Sequence, residues 1–181
     1  MRLHNPNTQQ GFSYIEMVIV VVILGIVVRV AMPNLSSTDP VKLDNAANEI
    51  ANAIKFAQAE AARTKIPYGI NTDVANDRIR VYSLPGTTPI YDIYHPVDKK
   101  LYDIQLKTNA YVAGVDLVSA SFAFSGAASS TANLDFSAEG IPKVTSSGAD
   151  YMLISGTITL GYHGQQRVIV IAPMTGRVGI Q

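Results

Sequence analysis

The stretch Gly11-Phe12-Ser13-Tyr14-Ile15-Glu16, followed by an apolar run from Met17 to Val28, constrains this chain more than any other. A carboxylate stands at the edge of a segment otherwise suited to a lipid bilayer. An ionisable group in such a segment costs about 2.5–3.5 kcal/mol or more near the bilayer centre, and it usually marks a functional pairing. From Met17 to Val28 the run would rise only ~18 Å as helix, less than a ~30 Å hydrocarbon core. From Phe12 to Met32 the rise is ~31 Å, which spans if Glu16 is tolerated.

Residues 1–10, MRLHNPNTQQ, are polar, carry Arg2 and His4, and contain no acid. A basic start before an apolar run fits a secretory signal peptide, which also needs a small-residue cleavage site after the run. Beyond Val28 the chain instead reads Arg29-Val30-Ala31-Met32-Pro33. The small residue lies before the run, at Gly11. A cut there would leave the apolar segment at the front of a mature chain.

In Gly11, Phe12, Ile15, Glu16 and the run MVIVVVILGIVV the chain resembles the type IV pilin and type II secretion pseudopilin superfamily. Ser13 and Tyr14 depart from the commonest form of that motif, and neither touches the glycine or the acid. The resemblance implies that a prepilin peptidase removes a leader, residues 1–11, and methylates the new terminal amine of Phe12. It also implies a role for Glu16 in assembly, pairing with the terminal amine of Phe12 in a neighbouring subunit. Two other readings of Glu16 stand beside this one. It can lie at headgroup level, or pair with Phe12 of its own chain, four residues away on one helical face. The expected setting is the bacterial inner membrane, crossed once at about 12–32, with the C-terminal domain in the periplasm and later in a filament. The implied partners are the peptidase, other pilin or pseudopilin subunits, the inner-membrane assembly platform and inner-membrane lipid. Arg29 departs from the pattern and is expected to snorkel toward headgroups. Pro33 either kinks the helix, as in many family members, or ends it.

The expected fold class is α+β: a long N-terminal helix, 12–65, laid against a mainly antiparallel β domain, 66–181. Asp39-Pro40 reads as an N-cap followed by proline in the first turn. Onward to Lys65, Leu43, Ala47, Ile50, Ile54, Ala57 and Ala61 recur at threes and fours as one apolar stripe. Lys42, Asn45, Asn48, Glu49, Asn52 and Glu60 lie opposite. Pro67 marks the stop. Including an interruption near 33–39, such a helix would reach ~80 Å.

After Pro67 the chain alternates short β-type runs with turn residues. Strands are expected at 68–72, 78–84, 115–124, 133–136, 151–160, 167–172 and 177–180, about seven in all, with no further helix. Residues 85–89 read as a loop, and 90–107 resist assignment. The close, RVIVIA followed by Pro173-Met174-Thr175-Gly176-Arg177-Val178, looks like that of the GspH/FimT group of minor pseudopilins and pilins. So do the run Leu134 to Gly140 and the alanine-rich helix end at Ala61-Ala62-Arg63. This second resemblance implies a minor subunit near the filament tip. Residues 85–132 carry no resemblance.

Composition narrows the function classes. Lys plus Arg number 14 and Asp plus Glu 14, so no net field draws the chain to polyanions. There is no cysteine, which removes disulfides, thiolate metal sites and cysteine nucleophiles, and disfavours the disulfide-bearing major pilins. No HExxH, GxSxG, GxxxxGK or GxGxxG is present, and no calcium-binding ladder of acids. No enzyme, cofactor or metal is expected. Asp73 with Asp77, and Asp135 with Glu139, read as solvated turn carboxylates. Tyr91, Tyr94, Tyr102 and His95, interleaved with Lys99, Lys100 and Lys107, read as a surface loop covering a sheet edge, against nucleic-acid stacking as the alternative. Some FimT-like pilins act in DNA uptake through C-terminal basic residues; Arg167 and Arg177 are the candidate DNA contacts here, a thin cluster. A DNA-binding pilin and a single-span protein that never polymerises remain the rival readings.

Overall fold

The computed structural model describes residues 13–31, 39–109, 111–126, 132–146 and 148–181. It falls into two compact units, Met1–Ser37 and Thr38–Gln181. Helix α1 (Tyr14–Ala31) belongs to the first, and helix α2 (Asp39–Thr64) to the second. The expected continuous spine is therefore described as two helices, and Pro33 lies outside the described residues.

The strands are β1 (Tyr68–Asp73), β2 (Arg78–Ser83), β3 (Asp103–Gln105), β4 (Asp116–Phe124) and β5 (Asn133–Phe136). They are followed by β6 (Pro142–Ser146), β7 (Ala149–Tyr162), β8 (Gln165–Ile171) and β9 (Val178–Ile180). All pair antiparallel in the order β3-β2-β1-β5-β6-β7-β8-β9, with β4 on β7. The fold is thus α+β with a curled antiparallel sheet. Strand β7 joins its two halves: Ala149–Met152 pairs β6, Leu153–Gly161 pairs β4, and Gly156–Tyr162 pairs β8.

Among the described residues there are nine strands, against about seven expected. The two extra ones, β3 and β6, escape periodicity for physical reasons. Three residues are too few to alternate, and a strand opening on Pro142 reads as a breaker although its first position tolerates proline. A 3-10 turn, Val74–Asn76, also interrupts the expected hairpin. There the Asp73 carboxylate accepts from the backbone N–H of Asn76 at 3.3 Å, and Asp77 takes the left-handed region at φ 50°.

The stripe of α2 packs as its spacing demands. Leu43, Ala47, Ile50, Ile54, Ala57 and Ala61 are fully buried, joined by Ala46 and Ala53. They share one core with Ile70, Val81, Leu134, Phe136, Ile158 and Ile169 from the sheet. The small alanines let strands approach the helix axis closely. Polar ties flank this core: Arg167 Nε donates to Asp44 at 2.7 Å, and Lys42 donates to the Tyr162 hydroxyl at 3.2 Å.

Candidate assembly site

The backbone carbonyl of Ser13 accepts from the N–H groups of Glu16 and Met17, at 3.0 and 3.2 Å, and so starts α1. From Ser13 to Val27 every residue is exposed, including Ile15, Val21, Ile23 and Ile26 at more than half their area. A helix apolar on all sides is stable only when something apolar covers it, in a membrane or among other helices. Glu16 sits in the first turn and is exposed, with no ion pair to any described residue. Its expected counterpart, the amine of Phe12, lies outside the described residues, as does Gly11. Arg29 is within α1, and only its backbone is described. Eighteen residues rise ~27 Å, short of a ~30 Å core. Among the described residues no helix is long and apolar enough to cross a membrane.

In the sheet domain one residue unexpectedly draws the C-terminal motifs together. Gln58, on α2, donates its Nε2 to the carbonyls of Gly140 and Thr175, both at 2.8 Å. The turn after β5 and the turn before β9 are therefore clamped to one helix side chain. Gly176 makes room for it: φ is +65°, and a Cβ there would stand 2.6 Å from Gln58 Nε2 and 3.0 Å from Phe136. Pro173–Gly176 is thus more than a tight turn. Gln58 gave no signal in the sequence, because a glutamine on a helix is ordinarily a solvated one.

Two carboxylates placed at solvated turns are in fact buried. Asp135 bonds the hydroxyl of Tyr82, and both are almost wholly shielded. Burial holds the Asp135 carboxyl above the usual range, with Tyr82 and Lys143 opposing. It likewise drives the Tyr82 hydroxyl far upward, helped by the adjacent carboxylate. Gly69 permits this pair, since a Cβ there would lie 2.7 Å from Asp135 Oδ1 and from the Tyr82 ring. Asp77 is also buried; it accepts from the Leu117 N–H at 2.7 Å and pairs with Lys107 at 2.6 Å. Both acids act as connectors, and a single sequence cannot show that their turns are covered. Asp73 and Glu139 remain solvated; the Asn76 side chain holds the first below the usual range and the Ser137 hydroxyl the second.

The candidate DNA contacts do not form a patch. Arg167 is tied to Asp44, while Arg177 stands exposed near the C-terminus. The tyrosines of 91–102 divide: Tyr102 is buried, Tyr91 sits under the Arg80 guanidinium and beside Tyr82, and Tyr94 is exposed. No cluster of three metal-ligating side chains occurs among the described residues.

No curated protein matches the chain in sequence. Among solved structures, the minor pseudopilin EpsH from the Type 2 Secretion System of Vibrio cholerae is similar at a TM-score of 0.50 and 15% identity. The match covers 77% of this chain and 96% of that one. A crystal structure of that protein likewise gives 0.50 and 14%, over 77% and 92%. The type IV minor pilin FimU of Pseudomonas aeruginosa follows at 0.45 and 18%, over 80% and 91%. At these identities EpsH shows the fold alone. The family model described as Type II transport protein GspH matches residues 46–175, more than half of the chain. With the pilin-like helix and sheet in place, the chain belongs to the GspH family, within the type IV pilin and type II secretion pseudopilin superfamily.

Proposed function

We propose that this protein is a minor pseudopilin or pilin, a non-enzymatic filament subunit that α1 anchors and then docks. The observation that carries this reading is α1 itself: an apolar helix exposed on every described face, with one carboxylate in its first turn. Processing after Gly11 would place the amine of Phe12 one helical turn from Glu16, and the segment 12–32 would cross the inner membrane at ~31 Å. Glu16 then pairs with the terminal amine of a neighbour. Removing only one partner of a buried pair leaves an uncompensated charge, so docking is favoured over isolation in lipid. Family membership supports this, and EpsH, which shares the fold, is a minor pseudopilin of a type II secretion system.

DNA uptake through Arg167 and Arg177 is the weaker reading, because Arg167 is spent on Asp44 and the formal net charge is zero. The experiment that tests the main reading is Glu16→Ala in cells carrying the assembly machinery. The variant should be cut to a mature N-terminus at Phe12 and yet enter sheared filaments at a tenth or less of the native level, about 1.4 kcal/mol or more in docking. Native-level incorporation would remove the pairing. An uncut Gly11 in the native protein would remove the processing step.

A further inference from the structure

The polar face of α2 forms one wall of a groove of about 800 Å³. Asn45, Asn48, Glu49 and Asn52 line that wall, and residues from His95 to Tyr111 line the other. Its volume lies within the ~300–1,000 Å³ typical of small-ligand sites.

The chemistry of the two walls selects a ligand class. Asn45, Asn48 and Asn52 recur at three and four residues, so they stand on one helical face. The carboxamides of Asn45 and Asn52 have no partner among the described residues, and Asn48 uses only its Nδ2, donating to the Asp44 carbonyl at 2.8 Å. Each carboxamide presents a donor and an acceptor in one plane. Opposite, the Tyr111 side chain is 81% exposed, an aromatic surface left open to water. Tyr102, which lines the groove, packs on Phe56 at 5.1 Å between ring centres and meets His95 edge-on at 4.7 Å.

Charge argues against a polyanion. The one lysine in the lining, Lys100, shares it with the carboxylates of Glu49 and Asp98, while Asp103 is neutralised by Arg78. Strand addition is also disfavoured. The Asp103 N–H already donates to the Leu101 carbonyl at 2.8 Å, and the Gln105 carbonyl accepts from Thr108 and Asn109 at 3.3 and 3.1 Å. An extended peptide would find little free backbone on β3. What remains is recognition by side chains, through paired donors and acceptors beside an exposed ring.

We propose that the groove between the asparagine face of α2 and Tyr111 binds a neutral oligosaccharide. Asn45, Asn52 and Glu49 take its hydroxyls, and the Tyr111 ring covers the apolar face of one sugar.

The test is saturation-transfer NMR on the full chain in phosphocholine micelles, which contain no sugar. The probes are cellotetraose, maltotetraose and chitotetraose at millimolar concentration, with a heparin tetrasaccharide and penta-alanine for comparison. At least one neutral tetrasaccharide should receive saturation, and Tyr111→Ala and Asn52→Leu should each weaken it roughly tenfold, as expected for ~1.4 kcal/mol. Both positions are exposed, so an unchanged thermal midpoint confirms that the variants are folded. No transfer to any neutral sugar overturns the proposal. So does transfer indifferent to both substitutions, or binding of the heparin fragment or the peptide alone.

Discussion

Helices α1 and α2 solve opposite problems with the same backbone. The first is apolar on every described face and exposed on all of them; the second confines its apolar residues to one stripe, which is fully buried. The difference teaches where each helix gets its stability. A polar-and-apolar division lets α2 find its cover in its own chain. A helix without that division must be covered by lipid or by other subunits. One is a core element of the sheet domain and the other carries the proposed assembly role, and substitutions should separate them.

The largest effect is expected at the α2 stripe. Ile50→Ala should cost about 2–5 kcal/mol of stability, lowering the melting temperature of the sheet domain by ~2–4 °C per kcal/mol. Chemical denaturation measures it, and a loss below about 1 kcal/mol would mean that the helix does not carry the core. Next comes the clamp. Gln58→Ala leaves the Gly140 and Thr175 carbonyls without their donor and should cost ~1–3 kcal/mol. Hydrogen exchange should rise in both turns together; a rise in one alone would break the link between them.

A smaller effect, dependent on pH, belongs to Asp135. Its carboxyl is held above its ordinary value by burial, so its stabilisation is complete below the ordinary pKa near ~4 and is lost as pH rises through the raised one. Asn at this position still accepts from Tyr82 without a charge. The stability of Asp135→Asn relative to the native protein should therefore increase with pH from about 4 and then level off. A difference curve flat from acid to neutral pH would contradict the buried assignment. The smallest effect is expected in α1: Val21→Ala should change the melting of the sheet domain by less than ~0.5 kcal/mol, as surface substitutions do. A larger shift would end the contrast between the two helices.

Much of the fold was legible because period and punctuation are local. Leu43 to Ala61 announced a buried helix face, and Asn133–Phe136 emerged at the expected bounds. Strands β3 and β6 were not legible, being too short or opened by proline. Of the candidate site, the acid at Glu16 and the apolar run were readable residue by residue. Gln58, Asp77 and Asp135 were not, since each looks solvated until distant segments cover it. The segment 90–107 was opaque for the same reason: Tyr91, Tyr94 and Tyr102 are alike in sequence, and only packing divides them into buried and exposed.

What the sequence alone determined is the division of labour: an all-apolar segment bearing one acid, an amphipathic helix, and a run of strands without cysteine or catalytic motif. Those follow from side-chain polarity and its period, which neighbours in the chain reveal. The tertiary structure decided the rest: a glutamine that joins two turns, carboxylates that are buried, and an asparagine face that walls a groove. These depend on residues tens of positions apart being brought within hydrogen-bond reach, and no local pattern encodes that distance.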